Sequence, residues 1–437
     1  MDKTFGMISL GCDKNRVDGE RLLGEIVRHG GRITTDPAKA QILIVNTCAF
    51  LNASREESIT AVLEANGYRG SGVLEKLVVT GCLPQKFIKE LFPALTEADV
   101  FLGTGDAEQL LAAIEESYGG KRVNAVGTGS ETRPPRLVST PDYYKYLKIA
   151  EGCFHHCTYC LIPKIRGKYR SVPMEELLEE AKSLGQTQEL ILVAQDTTRY
   201  YEDFGENKFV ELIKNLSKLD NICHIRLLYC YPEMITDELI SEVKNNPKVL
   251  KYLDIPLQHS EDRILKLMGR RGTRAEYLAL IRKLKREIPQ IALRSTFIAG
   301  FPSETEEEAE ALNGFLREAE LTNCGFFAYS REKDTPAYRM AGQIPARVKA
   351  RRVKALYRTQ REISKKLLSR FVGQTLPVLT CGIAPEGGFW GRAYFEAPEV
   401  DGVVYFEAKQ AEEGKLRSVK ITRATDYDLY GTCEETK

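Results

Sequence analysis

The chain opens with short apolar runs separated by amphipathic stretches. Residues 5–10, 42–46 and 77–80 are apolar runs of strand length. Each is followed by a helical pattern. The first runs from Val17 to His29 and is ended by Gly30-Gly31. The second is opened by Ser54 as N-cap, with Glu57 at the capping-box spacing, and the third spans roughly 85–91. Strands alternating with helices predict an N-terminal doubly wound parallel α/β domain over residues 1–120. Gly127, Gly129, Pro134, Pro135 and Pro141 mark 121–141 as a linker.

The pattern then resumes. Residues 146–150, 189–194, 224–229, 252–255, 291–297 and 324–328 read as strands, with helices between them, for example 173–183 and 274–287. Six β/α units predict a central partial (β/α)6 TIM-like barrel over 142–370. From 371 to 437 the rhythm changes to short β runs (375–380, 388–395, 403–406, 416–422) between Gly, Pro and Asp turns, which predicts a small antiparallel barrel of OB-like type. The fold class is therefore α/β with a small β-barrel at the end.

Composition changes this picture in one respect. Lys and Arg number 62 against 61 Asp and Glu, which disfavours a uniformly basic nucleic-acid binder and leaves a local basic patch open. No apolar run approaches the roughly 18 residues of a membrane span, and Met1-Asp2-Lys3 leads straight into a strand, so a cytoplasmic chain is expected. In that compartment the 11 cysteines are expected to be reduced thiols, with metal or redox chemistry the reason to ask where they sit.

Six of them have a pattern. Cys12, Cys48 and Cys82 each lie one or two residues beyond the carboxyl end of a predicted strand, where open α/β sheets bind ligands. Three converging thiolates suit an iron–sulfur cluster with one iron open, or a zinc site with an open position. Cys153, Cys157 and Cys160 form C-x3-C-x2-C on the loop after the first barrel strand, the wrong spacing for a four-ligand zinc ribbon but suited to three irons of a [4Fe–4S] cube. His155 and His156, between them, read as partly exposed loop residues, with a role as alternative metal ligands the lesser reading. Barrel active sites gather at carboxyl strand ends, where Gln195, Asp196, Gln258, His259, Arg294, Thr296 and Gly300-Phe301-Pro302 form a candidate rim. Gly300 would allow close backbone approach to a ligand. Cys223, Cys230, Cys324, Cys381 and Cys433 have no motif spacing.

The C-x3-C-x2-C loop, with Tyr159 before its last cysteine, resembles the radical S-adenosylmethionine superfamily. With the three upstream cysteines, the match narrows to the methylthiotransferases and covers nearly the whole chain. The stretches Ser9-Leu10-Gly11-Cys12-Asp13-Lys14-Asn15, Asn46-Thr47-Cys48 and Ala194-Gln195-Asp196-Thr197-Thr198 look like the branch that modifies a ribosomal protein. The transfer-RNA branch usually has another residue at Lys14, and Phe154 departs from the Asn common in relatives. The resemblance implies a radical cluster on Cys153, Cys157 and Cys160 and an auxiliary [4Fe–4S] cluster on Cys12, Cys48 and Cys82. It also implies S-adenosylmethionine as cofactor, with Tyr159, Gln195, Asp196, Gln258, Arg294, Thr296 and Gly300 as its candidate contacts. The implied target is the β-carbon of an aspartate on the twelfth small-subunit ribosomal protein, reached by a 5′-deoxyadenosyl radical, with a reductant and a sulfur donor as further partners. Methylthiolation of a transfer-RNA adenosine is the alternative.

Residues 331–370 hold 13 Lys and Arg against three Asp and Glu, mostly on a helix starting near Pro345 with Val348, Leu356, Ile363 and Leu367 as its apolar stripe. A solvated helix face and contact with ribosomal RNA phosphate are both open readings. The C-terminal barrel resembles the TRAM domain, a barrel often used to bind RNA. Yet it carries seven Lys and Arg against 11 Asp and Glu, a balance that favours a basic protein partner.

Overall fold

A computed structural model describes residues 2–127 and 133–433. Strands β1 (Thr4–Ser9), β2 (Arg32–Thr34), β3 (Ile42–Thr47), β4 (Lys76–Gly81), β5 (Val100–Leu102) and β6 (Val123–Ala125) form one parallel sheet in the order β2-β1-β3-β4-β5-β6. Helices α1 (Asp13–Arg28), α2 (Asn52–Asn66), α3 (Cys82–Ala94) and α4 (Leu110–Ser117) connect them. The period-2 alternation of the strands sorts the helices onto two faces. Leu43, Val45, Leu77 and Val79 pack with Val62 of α2 and Leu83 of α3. Ile42, Ile44 and Val78 pack with Ile26 of α1 and Leu110 of α4. The sheet is thus doubly wound, and strand order reverses at β1.

Two local expectations change here. α2 begins at Asn52, with Leu51 as N-cap and no side-chain cap. Ser54 lies inside the helix, and the Asn52 amide instead donates to Glu332 Oε1 at 3.0 Å. That carboxylate, 280 residues away, satisfies a helix-end donor that local reading gave to Ser54. The segment taken as linker opens with β6, whose three residues pair with β5 from Val100↔Val123. So short an edge strand carries no readable periodicity.

The second sheet is also parallel and holds six strands: β7 (Tyr144–Lys148), then β10 (Thr187–Val193), β11 (Ile222–Leu227), β12 (Val249–Asp254), β13 (Ala292–Ala299) and β14 (Asn323–Ala328), after the two-residue strands β8 (Ala150–Glu151) and β9 (Arg170–Ser171). Its order, β14-β13-β12-β11-β10-β7, follows the chain, as a partial (β/α)6 barrel requires. Helices α5 (Ile162–Ile165), α6 (Met174–Ser183), α7 (Phe209–Ser217), α8 (Asp237–Asn245), α9 (Asp262–Leu267), α10 (Arg274–Glu287), α11 (Glu306–Ala319) and α12 (Ala346–Leu368) follow in turn. β8 and β9 pair antiparallel and pin the base of the cysteine loop between them. On α12, Leu356, Ile363 and Leu367 are buried, whereas Val348 is only half-buried.

Strands β15 (Thr375–Ile383), β16 (Phe389–Arg392), β17 (Val404–Glu407), β18 (Leu416–Ala424) and β19 (Leu429–Cys433) close into a barrel in the order β15-β16-β17-β19-β18. The barrel is antiparallel except at β17 and β19, which run parallel. An odd ring of strands cannot alternate direction all the way round, so closure of five forces one parallel pair. β19 itself was not among the runs read from the sequence.

The segment from Arg392 to Asp401 clasps the partial barrel. Arg392 reaches Glu189 of β10 at 2.8 Å, Arg226 of β11 donates to the Tyr394 carbonyl at 2.9 Å, and Asn323 donates to the Phe395 carbonyl at 3.1 Å. Tyr252 donates to Asp401 at 2.7 Å. Glu399 pairs with Arg16 of α1 at 2.7 Å, so the same segment also holds the N-terminal sheet. Among the described residues, no helix is long and apolar enough to cross a membrane.

Candidate active site

The first thiol trio sits at the carboxyl edge of the N-terminal sheet. Cys12 is the exposed N-cap of α1, Cys48 follows β3 half-buried, and Cys82 opens α3 and is buried. Two glycines let their loops meet. Gly11 has φ +97°, and a Cβ there would lie 3.1 Å from the Cys48 Cβ. Gly81 also has φ +97°, and its Cβ would lie 2.5 Å from the Thr47 carbonyl oxygen. Only glycine tolerates that backbone and that approach. Asn15 ties the two loops by donating to the Leu10 carbonyl at 2.7 Å and the Thr47 carbonyl at 3.3 Å. Burial pushes the Cys82 thiol up to about 11, partly offset by the Arg166 guanidinium.

The second trio lies on the loop between β8 and β9. Cys157 is buried, and Cys153 and Cys160 are half-buried. Gly152 turns the chain with φ +76°, where a Cβ would sit 2.1 Å from the Lys168 carbonyl oxygen. Two backbone amides point at sulfur: His155 N–H donates to Cys153 Sγ and Ile162 N–H to Cys160 Sγ, both at 3.4 Å. Thr158 anchors the loop floor, donating to the Met268 carbonyl from its amide at 2.9 Å and to the Leu267 carbonyl from its hydroxyl at 2.8 Å. Burial pushes the Cys153 thiol up to about 12 and raises Cys160 as well. Among the described residues no three Cys, His, Asp or Glu side chains converge tightly enough to hold a single ion.

The rim residues divide. Tyr159 packs edge-on against Phe301 at 6.5 Å. Gln195 donates to Glu151 at 3.3 Å, and its buried Oε1 has no partner among the described residues. Asp196 is fully buried and committed to protein: it accepts from the Thr198 hydroxyl at 2.6 Å and lies 2.7 Å from His155 Nε2. Gln258 adopts φ +72° and bridges to β13, its amide donating to the Thr296 carbonyl at 2.8 Å.

Two rim residues already have close protein neighbours. Arg294 turns into the barrel and pairs with Asp254 at 3.1 Å and Asp401 at 3.3 Å, because the C-terminal clasp brings an acid that local reading had no means to foresee. At Gly300 (φ +75°) the close neighbour is Lys349 of α12, whose Cγ would lie 2.2 Å from a Cβ. His155 is partly exposed, as read from the sequence, but it is also stacked on Tyr231 at 3.8 Å and 6° and held by Asp196.

Sequence reasoning missed the residues that join the trios. Arg166, buried, donates to Cys82 Sγ at 3.2 Å from the barrel side, and also pairs with Asp18 of α1 and with Glu151 at 3.1 Å. Lys148 completes the quartet by pairing with Asp18 and, at 2.8 Å, with Glu151. The two cations hold the Glu151 carboxyl well below its usual range against the opposing effect of burial. Lys14 lies 3.3 Å from the Tyr229 ring centroid and 3.0 Å from Asp13. Burial alone would lower its pKa, but Asp13 and Tyr229 raise it. Arg270, buried, places Nη1 4.0 Å from Cys157 Sγ and packs on Tyr231 at 4.3 Å, with Nε unpartnered among the described residues. The only local signal for Arg270 was a basic stretch flanked by Gly269 and Gly272, which is too common to single out.

A six-stranded open parallel barrel with a three-thiol loop at its mouth is the architecture of radical S-adenosylmethionine enzymes. Residues 147–316 match the Radical SAM superfamily model, residues 4–103 the Uncharacterized protein family UPF0004, and residues 372–433 the TRAM domain. Among solved structures, the fold resembles the radical S-adenosylmethionine methyltransferase TsrM from Kitasatospora setae (TM-score 0.55, 13% identity, 77% of this chain and 74% of that one). It also resembles the cobalamin-dependent S-adenosylmethionine radical enzyme OxsB (TM-score 0.52, 12% identity, 77% and 54%).

Full-length relatives are more similar. The ribosomal protein uS12 methylthiotransferase RimO of Lachnoclostridium phytofermentans is 46% identical over 98% of this chain and 99% of its own. RimO of Thermoanaerobacter sp. is 44% identical with the same coverage, and that of Geobacter sulfurreducens is 44% identical over 97% of both. The chain belongs to the RimO family of radical S-adenosylmethionine methylthiotransferases.

Proposed function

We propose that this chain transfers a methylthio group to the β-carbon of an aspartate of ribosomal protein uS12, with Cys153, Cys157 and Cys160 holding the radical [4Fe–4S] cluster and Cys12, Cys48 and Cys82 the auxiliary one. The observation that carries the reading is the pair of three-thiol groups joined through Arg166, which touches one group from the peptide that follows the other. The donor set fits. Buried thiols that resist ionisation alone are deprotonated by iron, and the amides at Cys153 and Cys160 point at sulfur as cluster ligation requires. When bound, the clusters supply the electron that cleaves the sulfonium of S-adenosylmethionine and the sulfur that is transferred.

The protein's own contribution is placement. The Gly152 turn and the Thr158 anchors fix the loop. His155 is immobilised between Asp196 and Tyr231, so its amide stays aimed at sulfur. The unpartnered Gln195 Oε1 is an acceptor for the cofactor's ammonium. Tyr159 and Phe301 wall off solvent beside the loop. The Arg166–Asp18–Glu151–Lys148 quartet is charge-neutral and rigid, so it sets the distance between the two thiol groups. The C–H bond to be broken is unactivated, and no acid–base pair of ordinary pKa would remove that proton. The small subunit, a reductant and a sulfur donor are the partners this reaction needs.

Anaerobic reconstitution followed by mass spectrometry of uS12 tests the reading. About eight irons per chain are expected, falling to about four when Cys12, Cys48 and Cys82 are all replaced by Ala, since each cube holds four. Unmodified uS12 beside modified transfer RNA would overturn it.

A further inference from the structure

The exposed face of α12 has no role in the site above. At 3.6 residues per turn, Arg347, Arg351, Lys354, Arg358, Arg361 and Lys365 fall within about 80° of one another, a single stripe about 27 Å long with roughly one cation per turn. All six are exposed. The opposite face does the packing, with Leu356, Ile363 and Leu367 buried and Arg352 paired to Glu304 at 2.9 Å. The fold therefore does not need the stripe. Arg351 pairs with Glu306 at 2.8 Å and Arg361 with Asp426 at 3.4 Å, both in solvent, where such pairs exchange readily. Arg347, Lys354, Arg358 and Lys365 have no ion-pair partner among the described residues, and Glu362 is the only acid on the helix.

We propose that this stripe is a docking track for an RNA phosphate backbone. A regular line of cations without apolar anchors matches a linear polyanion. A protein partner would call instead for a desolvated apolar centre. The track does not stop at the helix. Asp426, which receives Arg361, sits in the turn beside Arg423, and the Arg423 guanidinium lies 3.7 Å over the Tyr430 ring. Tyr430 in turn stacks on the half-exposed Tyr405 at 5.2 Å, an aromatic platform of the kind that unpaired bases stack on. The stripe and the platform together suit single-stranded RNA. The RNA assignment rests on the ribosomal reading above only in supplying RNA that lies near the protein substrate.

The test uses the full chain and a fluorescein-labelled 20-nucleotide single-stranded RNA of mixed sequence, with anisotropy read across a salt series. The comparison is wild type against R347Q/K354Q/R358Q/K365Q, with the four Arg and Lys exchanged for one another as a charge-keeping control. Each lost contact lowers the slope of log affinity on log salt by about 0.7. The quadruple variant is expected to lose about 3 in slope and on the order of 100-fold in affinity near 0.1 M salt, while the control keeps both. Equal slope and affinity in the quadruple variant would overturn the proposal. So would loss of binding to a poly-glutamate peptide with RNA binding intact, which would make the stripe a protein-docking face. Methylthiolation of free uS12 by the same variants, expected unchanged, reports separately on the catalytic reading.

Discussion

Glu189 offers the sharpest energetic test of how the C-terminal barrel is joined to the rest. It is buried on β10, with Arg226 at 2.5 Å and Arg392 of the clasp at 2.8 Å. Burial alone would raise its carboxyl, but the two guanidinium groups hold it down to about 2. A carboxyl held below its unfolded value stabilises the fold above that value. The contribution is full above about pH 4.5 and is lost as pH falls towards 2. A depression of between two and three units, at 1.36 kcal/mol each, amounts to about 3 kcal/mol. Glu189→Gln removes that contribution and leaves two buried cations facing a neutral amide. At pH 7 the unfolding midpoint of the unit holding the clasp should fall by about 6–12 °C, taking 2–4 °C per kcal/mol for a domain of this size. Below pH 4 the wild-type and variant curves should converge. Calorimetry across pH 3 to 7 checks this. An unchanged midpoint at pH 7, or a gap that persists undiminished at pH 3, would mean that Glu189 does not hold the clasp through its charge.

Three further outcomes follow from the site. Gly152→Ala forces a side chain into φ +76° and against the Lys168 carbonyl; the backbone alone costs about 1–2 kcal/mol, so iron content should fall towards four per chain, read by iron assay. Arg270→Gln removes the guanidinium beside Cys157, which favours the more negative, reduced state of a cluster there. Its reduction potential, followed by electron paramagnetic resonance during titration, should shift negative with iron content kept. Asp196→Ala leaves His155 and the Thr198 hydroxyl without their buried partner, a loss of roughly 1–3 kcal/mol; thermal unfolding should record it, and unchanged stability would show that the Tyr231 stack alone holds the loop.

Much of the architecture was legible along the chain because it is local. The six barrel strands and α10, at Arg274–Glu287, follow from hydrophobic period and length. The C-x3-C-x2-C loop is read from spacing alone. Cys12, Cys48 and Cys82 could be grouped because strand ends are readable and parallel sheets gather them. What escaped was whatever depends on a distant partner. Glu332 caps α2 in place of Ser54, Asp401 claims Arg294, and Lys349 fills the space beside Gly300. Each of these partners lies more than 45 residues from the position it decides.

Three runs of elements, two cysteine patterns and one basic helix can be read along the chain, since period, spacing and charge are properties of neighbouring residues. How those pieces face one another emerges from the folded molecule. Arg166 spans the trios, the Arg392–Asp401 clasp closes the partial barrel, and the α12 cations line one exposed face. A buried charge must find its counter-charge wherever packing brings one, and packing is set by the whole fold rather than by the sequence around the charge.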